Sequence, residues 1–523
     1  MIHASERNDM DLRTLFRELP ARVVVADGSP AADGSGKLPA REIVDITIDS
    51  RNVVTDGLFL ACQGARQHGL NFVSDALRAG VGAIAWEADG VSAPALPDTV
   101  TGVAVPELKA RLGELANRFF ARPSEALALV GITGTNGKTT TAWLVAEAIG
   151  HLGSRAGYLG TLGYGFSDQL QSAALTTPDC ISFHRQLRAI VDGGGRHAIA
   201  EVSSHALSQD RVAGARFSTV AFTNLSRDHL DYYADLDSYG AAKARLFRLG
   251  AGHAVINLDD EFGRKLAAEL VAGAKDTDTK FIGVSLRNVA GATLQGSLQS
   301  LSPEGIVVEL NYGGNSAVLH SALWGRINAE NLLLAAGILL AEGWSLVEAA
   351  GALSDCTAPP GRLQRVAGAD DQPVVLVDFA HTPDALRKVL AAVREHCTGD
   401  IWCVFGCGGD RDPGKRALMG AAAIEGAAHV IVTDDNPRQE DPQQIIADIL
   451  AGIANVNRVQ VVPDRAAAIQ RAIHLARAGD AVLIAGKGHE QVQITREGRR
   501  PFSDTEVASE ALASARNRTG RDT

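Results

Sequence analysis

Residues 127–150, LALVGITGTNGKTTTAWLVAEAIG, decide the fold of the middle of the chain. The stretch predicts a buried strand, then a Gly-rich loop, then a helix. A generic phosphate loop carries a glycine five residues before its Gly-Lys pair. Ile132 stands at that place, with Gly131 and Gly134 on either side. Because backbone N–H groups of such a loop bind phosphates, we predict a phosphate site rather than an ordinary Gly-rich turn.

Three side chains at the start of this helix suit nucleotide chemistry. Lys138 can reach the outer phosphates, and either Thr139 or Thr140 can ligate Mg²⁺. The loop therefore predicts a nucleotide together with a magnesium ion.

The last part of the chain alternates short apolar runs with amphipathic stretches. We predict strands at VVLVDFAH, IWCVFGCGG, HVIVTDD, RVQVVPD and AVLIAGKG, and helices at PDALRKVLAAVREH, RALMGAAAIEG, PQQIIADILAGI and RAAAIQRAIHLA. Apolar strands separated by such helices form a mostly parallel sheet that is covered on both faces. The predicted fold class is α/β, and this part is Rossmann-like and doubly wound.

Three polar loops follow strands of this sheet. They are GGDRDPGKR (408–416), DDNPR (434–438) and AGKGHE (485–490). Ligands of such sheets bind beyond the carboxyl ends of the strands, so the three loops predict one shared binding site. Taken alone, DDNPR also fits a plain turn with Pro437 at a helix start.

Two proline-containing breaks, at 121–126 and 356–362, divide the chain. They predict three domains, 1–125, 126–358 and 359–523, each of ordinary domain size. The first is expected to be an α/β domain, and the second a phosphate-loop domain with a mostly parallel sheet. The third is the doubly wound domain.

The composition fits a soluble globular protein, with 46% hydrophobic and 21% charged residues among 523. A net charge of −11 argues against nucleic acid as the main partner. The first residues lack the apolar core of a signal peptide, and no apolar stretch reaches membrane-spanning length, so we expect a cytoplasmic protein without membrane insertion. The six cysteines are scattered and are expected to be reduced core thiols.

Two further segments end predicted strands in polar residues. IAEVSSHAL (199–207) ends its strand at Glu201, and FTNLSRDHLDYY (222–233) contains His229. Singly, Glu201 would be an acid at a helix start and His229 a hydrogen-bonded loop histidine. Beside a phosphate loop they can instead form the rim of a Mg²⁺ site, in which Glu201 offers the hard oxygen ligand that this ion prefers.

A series of motifs occurs in one order along nearly the whole chain. The motifs are GITGTNGKTTT, TTPD (176–179), EVSSHAL, TNLSRDHLDYY, YGAAKARLF (239–247), INLDDEFG (256–263), GRINAENLLLAAG (325–337), GRLQRV (361–366), VDFAHTPDAL and FGCGGDRDPGKR. This order resembles that of the Mur ligases, the ATP-dependent amide-bond ligases that build the peptide stem of bacterial cell-wall precursors. Within that family, TIDSR (47–51), FGCGGDRD, DDNPR and AGKGHE are similar to the ligases that add meso-diaminopimelate as the third residue.

The resemblance implies an activity. ATP would phosphorylate the D-glutamate side carboxylate of UDP-N-acetylmuramoyl-L-alanyl-D-glutamate, and the amine of meso-diaminopimelate would then displace phosphate. The implied partners are these small molecules, with Mg²⁺ as the cofactor, and a monomer is expected. Three alternatives stay open: the same ligase adding L-lysine, a ligase similar to folylpolyglutamate synthetase, and a non-enzymatic phosphate-loop nucleotide switch.

The resemblance also implies residue roles. The ATP-binding residues are Gly134, Thr135, Asn136, Gly137, Lys138, Thr139, Thr140, Asn257, Asn331 and Arg362. The residues for the UDP-sugar peptide are Ile48, Ser50, Ala65, Arg66, Gln67, Thr176, Thr177, Ser203, Gln209 and Arg211. Related sequences often carry a polar residue or histidine where Ala65 and Arg66 stand. The catalytic residues are Lys138, Lys243, His229 and Glu201, and the metal ligands are Thr139, Glu201, His229 and the carbamate of Lys243.

Lys243 has two interpretations. A lysine on a helix is usually solvated. The resemblance implies N6-carboxylysine instead, because Mur ligases with these motifs carry a carbamylated lysine here. Addition of CO₂ to the neutral amine replaces an ammonium, which magnesium ions would repel, by an anion that can bind one.

The amino-acid site is expected at the three C-terminal loops. The far end of meso-diaminopimelate carries a carboxylate and an ammonium, so a selective site needs both a cation and acceptors. Arg438 offers a planar fork for the carboxylate, with Arg411 as a second cation and Pro437 fixing the loop. The ammonium would meet Asp435, Asn436, Glu490 and the Gly486 backbone.

Overall fold

The structure is a computed structural model of the chain. Ala65, Arg66 and His229, to which the sequence assigns roles, lie outside the residues that it describes. The chain forms two compact units, the first from 1–136, 153–254 and 268–281, and the second from 137–152, 255–267 and 282–523. The described residues are 9–24, 38–64, 67–88, 91–228, 232–273, 278–455 and 458–519.

Short strands alternate with helices through most of the chain. The strands are β1 (Met10–Asp11), β2 (Arg22–Val24), β3 (Glu42–Ile43), β4 (Ile46–Thr47), β5 (Leu58–Ala61), β6 (Ala83–Glu87), β7 (Thr101–Val105), β8 (Ala128–Thr133), β9 (Ala156–Gly160), β10 (Gly163–Gly165), β11 (His197–Glu201), β12 (Thr219–Phe222), β13 (His253–Asn257), β14 (Lys280–Ser285), β15 (Leu294–Ser302), β16 (Gly305–Tyr312), β17 (Asn315–Ser321), β18 (Gln364–Val366), β19 (Val374–Asp378), β20 (Ile401–Phe405), β21 (His429–Val432), β22 (Val459–Val461), β23 (Ala481–Ala485), β24 (Val492–Thr495) and β25 (Gly498–Pro501).

The helices connect these strands. They are α1 (Leu12–Leu15), α2 (Val73–Arg78), α3 (Leu108–Phe119), α4 (Lys138–His151), α5 (Cys180–Asp192), α6 (Ser204–Ser208), α7 (Leu236–Ala244), α8 (Glu261–Gly273), α9 (Arg326–Ala341), α10 (Leu346–Ser354), α11 (Pro383–His396), α12 (Gly414–Gly426), α13 (Pro442–Leu450), α14 (Arg465–Leu475) and α15 (Asp504–Thr519). No helix among the described residues is both long enough and apolar enough to cross a membrane.

The first unit contains two mostly parallel groups of strands. One has the order β2-β7-β6-β5-β4, in which β4 to β7 are parallel and β2 is antiparallel to β7. The other has the order β10-β9-β11-β8-β12, in which the last four are parallel. Glu201 pairs in register with Ile132, and Phe222 pairs with Thr133. The phosphate loop and the segments that follow Glu201 and Phe222 therefore leave the same edge of this group.

The second unit contains the C-terminal sheet, with the order β18-β19-β23-β20-β21-β22. Its strands are parallel except for β18, which runs antiparallel to β19. Successive residues face two separate cores: Leu376 and Leu483 pack with α11 to α13, whereas Val377 and Ile484 pack with α14 and α15. Both faces of the sheet are covered, which confirms the predicted α/β, doubly wound fold.

Two antiparallel features of the second unit were not predicted. The strands β15, β16 and β17 form a meander, and β24 pairs with β25 in a hairpin. The sequence of β15, LQGSLQSLS, is mostly polar. Its alternation is therefore too weak to stand out as a strand.

The six cysteines are free thiols, and all except Cys62 are buried. Cys403 lies in the middle of β20 with no exposed surface. Burial raises the pKa of Cys403 to about 12. The thiol is therefore protonated at neutral pH and packs as a small apolar side chain.

Candidate active site

The phosphate loop joins β8 to α4, and its backbone requires glycine. Gly134 has a φ of 149°, and a Cβ atom there would lie 1.8 Å from the Oγ1 atom of Thr223. Gly137, at the N-cap of α4, has a φ of 83°. The Oγ1 atom of Thr223 donates a hydrogen bond to the carbonyl oxygen of Asn136 at 2.6 Å. These contacts hold the loop as a turn, and the predicted helix follows it as α4, which begins at Lys138.

The start of α4 places two hydroxyls in a partly closed environment. Thr139 and Thr140 are 9% and 8% exposed. One residue further on, the Oγ1 atom of Thr141 lies 3.4 Å from the Oδ1 atom of Asn331 on α9. Asn331 also donates to Asn328 at 3.0 Å. The predicted ATP residue Asn331 is therefore fixed by the helix that follows the phosphate loop.

Two other predicted ATP residues lie in the second unit. Asn257 ends β13 and its Oδ1 atom accepts a hydrogen bond from the Asp259 backbone at 2.9 Å. The guanidinium carbon of Arg362 lies 5.0 Å from the ring centroid of Phe379. The Nε atom of Arg362 is buried and has no hydrogen-bond partner among the described residues. A buried donor of this kind is costly unless a ligand satisfies it.

Lys243 is buried at 1% exposure, so the interpretation as a solvated helix lysine is wrong. Its Nζ atom donates a hydrogen bond to the carbonyl oxygen of Gly134 at 2.8 Å. The same atom lies 4.2 Å from the ring centroid of Tyr239. Burial raises the pKa of the Tyr239 phenol. A lysine of α7 therefore reaches the phosphate loop inside the first unit.

Glu201 is not an acid at a helix start, because α6 begins at Ser204 and Ser203 caps it. The Glu201 carboxylate ends β11 at 1% exposure. Its Oε1 atom accepts hydrogen bonds from the Tyr158 hydroxyl and, at 2.9 Å, from the Thr161 backbone. These donors hold the Glu201 carboxylate in place at the strand end.

Four of the residues predicted to bind the muramoyl dipeptide form one cluster in the first unit. The hydroxyl of Thr177 accepts a hydrogen bond from the Ser203 backbone at 3.1 Å, and its carbonyl oxygen accepts one from Arg211 at 2.8 Å. Arg211 also donates to the Oε1 atom of Gln209 at 2.7 Å. Burial lowers the pKa of the Arg211 guanidinium. Thr176 lies beside this cluster and shares a 3.1 Å hydroxyl contact with Thr161.

The residues predicted for the uridine end lie in the N-terminal part of the first unit. Ser50 begins a short 3-10 helix that Asp49 caps. Ile48 packs against the apolar core of this part. The carbonyl oxygen of Gln67 accepts a hydrogen bond from the Gly64 backbone at 3.1 Å. Contacts that depend on Ala65 and Arg66 stay predictions.

The C-terminal loops bring two arginines together beside Gly408. A Cβ atom at Gly408 would lie 3.0 Å from the Nη1 atom of Arg438 and 3.8 Å from the Cγ atom of Arg411. Arg438 donates to the carbonyl oxygen of Gly409 at 2.7 Å. Arg411 is exposed. The side chains of Arg411 and Arg438, which the sequence predicts for a distant carboxylate, therefore both pass beside Gly408.

Some of the acceptors predicted for the substrate ammonium already accept hydrogen bonds from the protein itself. The Oδ1 atom of Asn436 accepts hydrogen bonds from Lys487 at 3.0 Å and from the Ile494 backbone at 2.9 Å. The Nδ2 atom of Asn436 donates to the Oε2 atom of Glu490 at 2.7 Å. Asn436 therefore links the DDNPR loop to Glu490, and the roles of Asp435 and Glu490 toward a substrate ammonium stay predictions.

Glu490 stays ionised in this environment. Burial raises the pKa of its carboxyl group, but the hydrogen bond and charge of Lys487, with the hydrogen bond from Asn436, bring it below its usual value. Asp435 is 8% exposed. A Cβ atom at Gly486 would lie 2.6 Å from the Oδ2 atom of Asp435, so a glycine is needed beside this acid.

The helix-start interpretation of Pro437 is wrong. The helix after DDNPR begins at Pro442, and Asp441 caps it. Pro437 is buried within the loop, and Arg438 follows it with a φ of 53°. The loop between β21 and α13 is therefore a separate structure rather than the first turn of the helix.

Sequence reasoning missed four residues that support these loops: Lys487, Gln493, Arg465 and Asp504. Lys487 and Arg465 have no exposed surface, and Gln493 is 1% exposed. Lys487 belongs to the motif AGKGHE, so the sequence could have indicated that it lies near the site. Nothing in the local pattern marks the other three, because their partners lie far away in the sequence.

Three family models match the chain. The model of the Mur ligase family, catalytic domain, matches residues 42–120, and the Mur ligase middle domain matches residues 132–339. The Mur ligase, glutamate ligase domain, matches residues 361–488. Together these ranges include the phosphate loop from Gly134, the C-terminal loops 408–416 and 434–438, and residues 485–488 of the third loop.

Similar proteins and structures agree with these matches. A protein of Xylella fastidiosa (strain Temecula1), named UDP-N-acetylmuramoyl-L-alanyl-D-glutamate--2,6-diaminopimelate ligase, is 47% identical over 97% of this chain and 98% of its own length. A protein of Pseudomonas aeruginosa with the same name is 46% identical over 90% of this chain and 95% of its own length.

Solved structures extend the comparison to three dimensions. A structure of a ligase with that name is 35% identical, with a TM-score of 0.69, and the match covers 91% of this chain and 95% of that chain. MurF from Acinetobacter baumannii is 17% identical, with a TM-score of 0.64, over 92% and 96% of the two chains, and so shares the fold. On the family models and these relatives, the chain belongs to the Mur ligase family.

Proposed function

We propose that this chain is the ATP-dependent ligase that adds meso-diaminopimelate to the D-glutamate side carboxylate of UDP-N-acetylmuramoyl-L-alanyl-D-glutamate, in the synthesis of peptidoglycan precursors. Relatives at 46–47% identity carry this activity in their names. The observation that carries the choice of amino acid is the pair Arg411 and Arg438 beside Gly408, at the edge of the sheet that also presents Asp435 and Glu490. Cations and carboxylates on neighbouring loops of this sheet suit the distal carboxylate and ammonium of meso-diaminopimelate.

The reaction needs an activated acyl group, because a carboxylate does not react with an amine near neutral pH. The γ-phosphoryl group of ATP goes to the D-glutamate carboxylate, which gives an acyl phosphate and ADP. The amine then attacks the acyl carbon, and phosphate leaves from the tetrahedral intermediate. Each species is strongly anionic, so positioning and charge stabilisation supply most of the catalysis.

We assign the phosphates of ATP to the loop from Gly134 to Gly137 and to Lys138, Thr139 and Thr140. Backbone N–H groups at the start of α4 and the Lys138 ammonium supply the positive field. Asn257, Asn331 and Arg362 would bind other parts of the nucleotide. The buried Nε atom of Arg362 supports this role, because a bound acceptor would satisfy it.

The residues present fit a Mg²⁺ ion. This ion takes oxygen ligands and usually keeps waters and substrate phosphates among them. Glu201 offers a buried carboxylate, Thr139 offers a hydroxyl, and Lys243 offers an anionic oxygen after carbamylation. His229 stays a proposed ligand from the family pattern. Bound Mg²⁺ supplies charge neutralisation during phosphoryl transfer.

The UDP-sugar peptide would bind in the first unit. The Thr177 cluster supports a site for the muramoyl dipeptide, since Arg211 presents a cation that burial has partly desolvated. Ile48, Ser50 and the loop at Gln67 would bind the uridine end. We further propose functional domains at 1–125, 126–358 and 359–523, and a cytoplasmic monomer, which sedimentation of the purified protein would test.

An amino-acid panel tests this function. Purified protein is given ATP, Mg²⁺ and UDP-N-acetylmuramoyl-L-alanyl-D-glutamate, and phosphate release and the UDP-linked product are measured with each amino acid. We expect both only when meso-diaminopimelate is added. Equal use of L-lysine would overturn the choice of amino acid, a requirement for a folate substrate would favour the folylpolyglutamate synthetase-like alternative, and nucleotide binding without any product would favour the switch.

A second experiment tests the phosphate loop. Lys138→Ala should abolish ligation, because the proposed contact between the ammonium and the phosphates is lost, and circular dichroism verifies that the variant folds. The lost transition-state stabilisation should be about 3 kcal/mol or more. Near-normal turnover of the folded variant would contradict the assignment.

A further inference from the structure

The first strand of the C-terminal hairpin, β24, lies along the DDNPR loop and contacts it residue by residue. Gln493 is 1% exposed, and its Nε2 atom donates to the carbonyl oxygen of Asp435 at 2.8 Å. The Ile494 backbone N–H donates to the Oδ1 atom of Asn436 at 2.9 Å. The carbonyl oxygen of Ile494 accepts a hydrogen bond from the Arg438 backbone at 3.0 Å. Three of the four residues Asp435–Arg438 are therefore bonded to this strand.

Lys487 also connects β24 to the DDNPR loop. Its ammonium has no exposed surface and donates to Asn436 at 3.0 Å, to the Oε2 atom of Glu490 at 2.9 Å and to the carbonyl oxygen of Val492 at 2.8 Å. One buried cation thus binds a residue of DDNPR, an acid of AGKGHE and the first residue of β24. It fixes the orientation of the Asn436 amide, because only the oxygen atom of that amide can face an ammonium.

The conformation of Arg438 shows why such support matters. Its φ of 53° lies in the left-handed region, which a side chain other than glycine adopts only where its surroundings hold it. The hydrogen bond from its N–H group to Ile494 is part of that support. If the hairpin moved, Arg438 would relax to an ordinary conformation and its guanidinium would point elsewhere.

We propose that the hairpin β24–β25, acting through Lys487 and Gln493, sets the shape of the loop Asp435–Arg438 and thereby determines the selectivity for meso-diaminopimelate over L-lysine. This inference rests on the proposed function. Lys487 and Gln493 are positioning residues, since they act through Asn436, Glu490 and the loop backbone. When lysine is bound, which lacks the distal carboxylate, a site held in this way leaves the Arg438 guanidinium desolvated and without an anionic partner.

The test uses two variants that remove donors at nearly constant volume, Lys487→Met and Gln493→Leu. The control is Lys388→Met, which removes a lysine on α11 whose side chain is 56% exposed. For each protein, kcat and KM are measured with meso-diaminopimelate and with L-lysine, and KM is measured for the UDP-sugar dipeptide. Thermal melting verifies folding.

We expect the KM for meso-diaminopimelate to rise about tenfold or more in Lys487→Met and by a smaller factor in Gln493→Leu, because misplaced polar groups no longer match the substrate. The ratio of kcat/KM between the two amino acids should fall in both variants, while the KM for the UDP-sugar dipeptide and all values of Lys388→Met stay unchanged. A purely structural role would lower the active fraction and leave the ratio unchanged.

Unaltered KM and selectivity in the folded variants would overturn the inference. If Lys487→Met does not fold, Gln493→Leu decides the question alone. A wild-type protein that makes no product with meso-diaminopimelate would instead overturn the proposed function, so the two failures are distinguishable.

Discussion

Arg465 on α14 and Asp504 at the start of α15 form an ion pair in which neither side chain has any exposed surface. The Nε and Nη2 atoms of Arg465 donate to the two carboxylate oxygens at 2.7 Å each. The Nη2 atom also donates to the carbonyl oxygen of Ala485, at the end of β23, at 3.0 Å. The pair therefore connects α14 and α15 to the end of β23, where the AGKGHE loop begins.

Breaking this pair should destabilise the protein strongly. Asp504→Asn leaves the Arg465 cation buried without its counter-ion, so we expect the free energy of unfolding to fall by about 3–5 kcal/mol. Urea denaturation followed by circular dichroism measures the change. Addition of Arg465→Met to this variant should restore part of the loss, because it removes the unpaired charge. Equal stability of Asp504→Asn and wild type would contradict this account.

Lys243 should be carbamylated in the active enzyme, and Lys243→Ala should be nearly inactive. The family pattern and the buried position beside the phosphate loop motivate this prediction. Activity of Lys243→Ala should recover in part when a short carboxylate such as formate is added, since it can replace the missing oxygen ligand. Mass spectrometry under CO₂ and a crystal structure with Mg²⁺ and nucleotide provide the check, and an unmodified lysine in that structure would count against it.

Arg438→Ala should reduce use of meso-diaminopimelate sharply and spare binding of the UDP-sugar dipeptide. The guanidinium is the fork offered to the distal carboxylate, and a bidentate pair of this kind is lost completely on truncation. We expect kcat/KM for meso-diaminopimelate to fall by about a hundredfold or more. Isothermal titration with the UDP-sugar dipeptide is the control. An unchanged kcat/KM would place the carboxylate elsewhere.

Stability should depend on pH through His396. The Nε2 atom of His396 accepts a hydrogen bond from the Gly325 backbone at 2.7 Å, and its Nδ1 atom donates to the carbonyl oxygen of Ser302 at 2.6 Å. Burial lowers the pKa of His396 below 6.5, the value expected for an unfolded chain. Below pH 6.5 the unfolded state therefore binds a proton that the folded state does not, and stability falls as the pH decreases toward the folded pKa.

The variant His396→Gln removes this titration. Its free energy of unfolding should vary less than that of wild type as the pH decreases below about 6.5. His429→Gln is the control, because the side chain of His429 is 41% exposed. The prediction fails if wild type and His396→Gln show parallel pH profiles in urea denaturation.

The sequence predicts much of the C-terminal sheet because the signals there are local. The helix PDALRKVLAAVREH begins at Pro383 and ends at His396, as the apolar spacing and the N-terminal proline indicate. The three loops meet at one edge because parallel strands share a direction. Arg411 and Arg438 could therefore be placed together without coordinates.

Other features depend on distant partners and leave no local signal. Gln493 bonds Asp435, which lies 58 positions away, and nothing around Gln493 indicates that contact. The burial of Lys243 follows from a contact with Gly134, 109 positions away, whereas a helix lysine by itself predicts exposure. Asn436 is predicted to meet the substrate, and the hydrogen bonds that its amide oxygen accepts from Lys487 and Ile494 are likewise long-range contacts.

The rate at which the buried thiol of Cys403 is alkylated can report how often the C-terminal sheet opens. The thiolate attacks alkylating reagents, and a group with a pKa of about 12 and no exposed surface reacts only after β20 has separated from its neighbours. The rate at which iodoacetamide modifies Cys403, measured by mass spectrometry, would therefore depend on how often the sheet opens. Substrates that bind to its loops would slow that rate, so occupancy of the amino-acid site could be followed by mass spectrometry without a coupled assay.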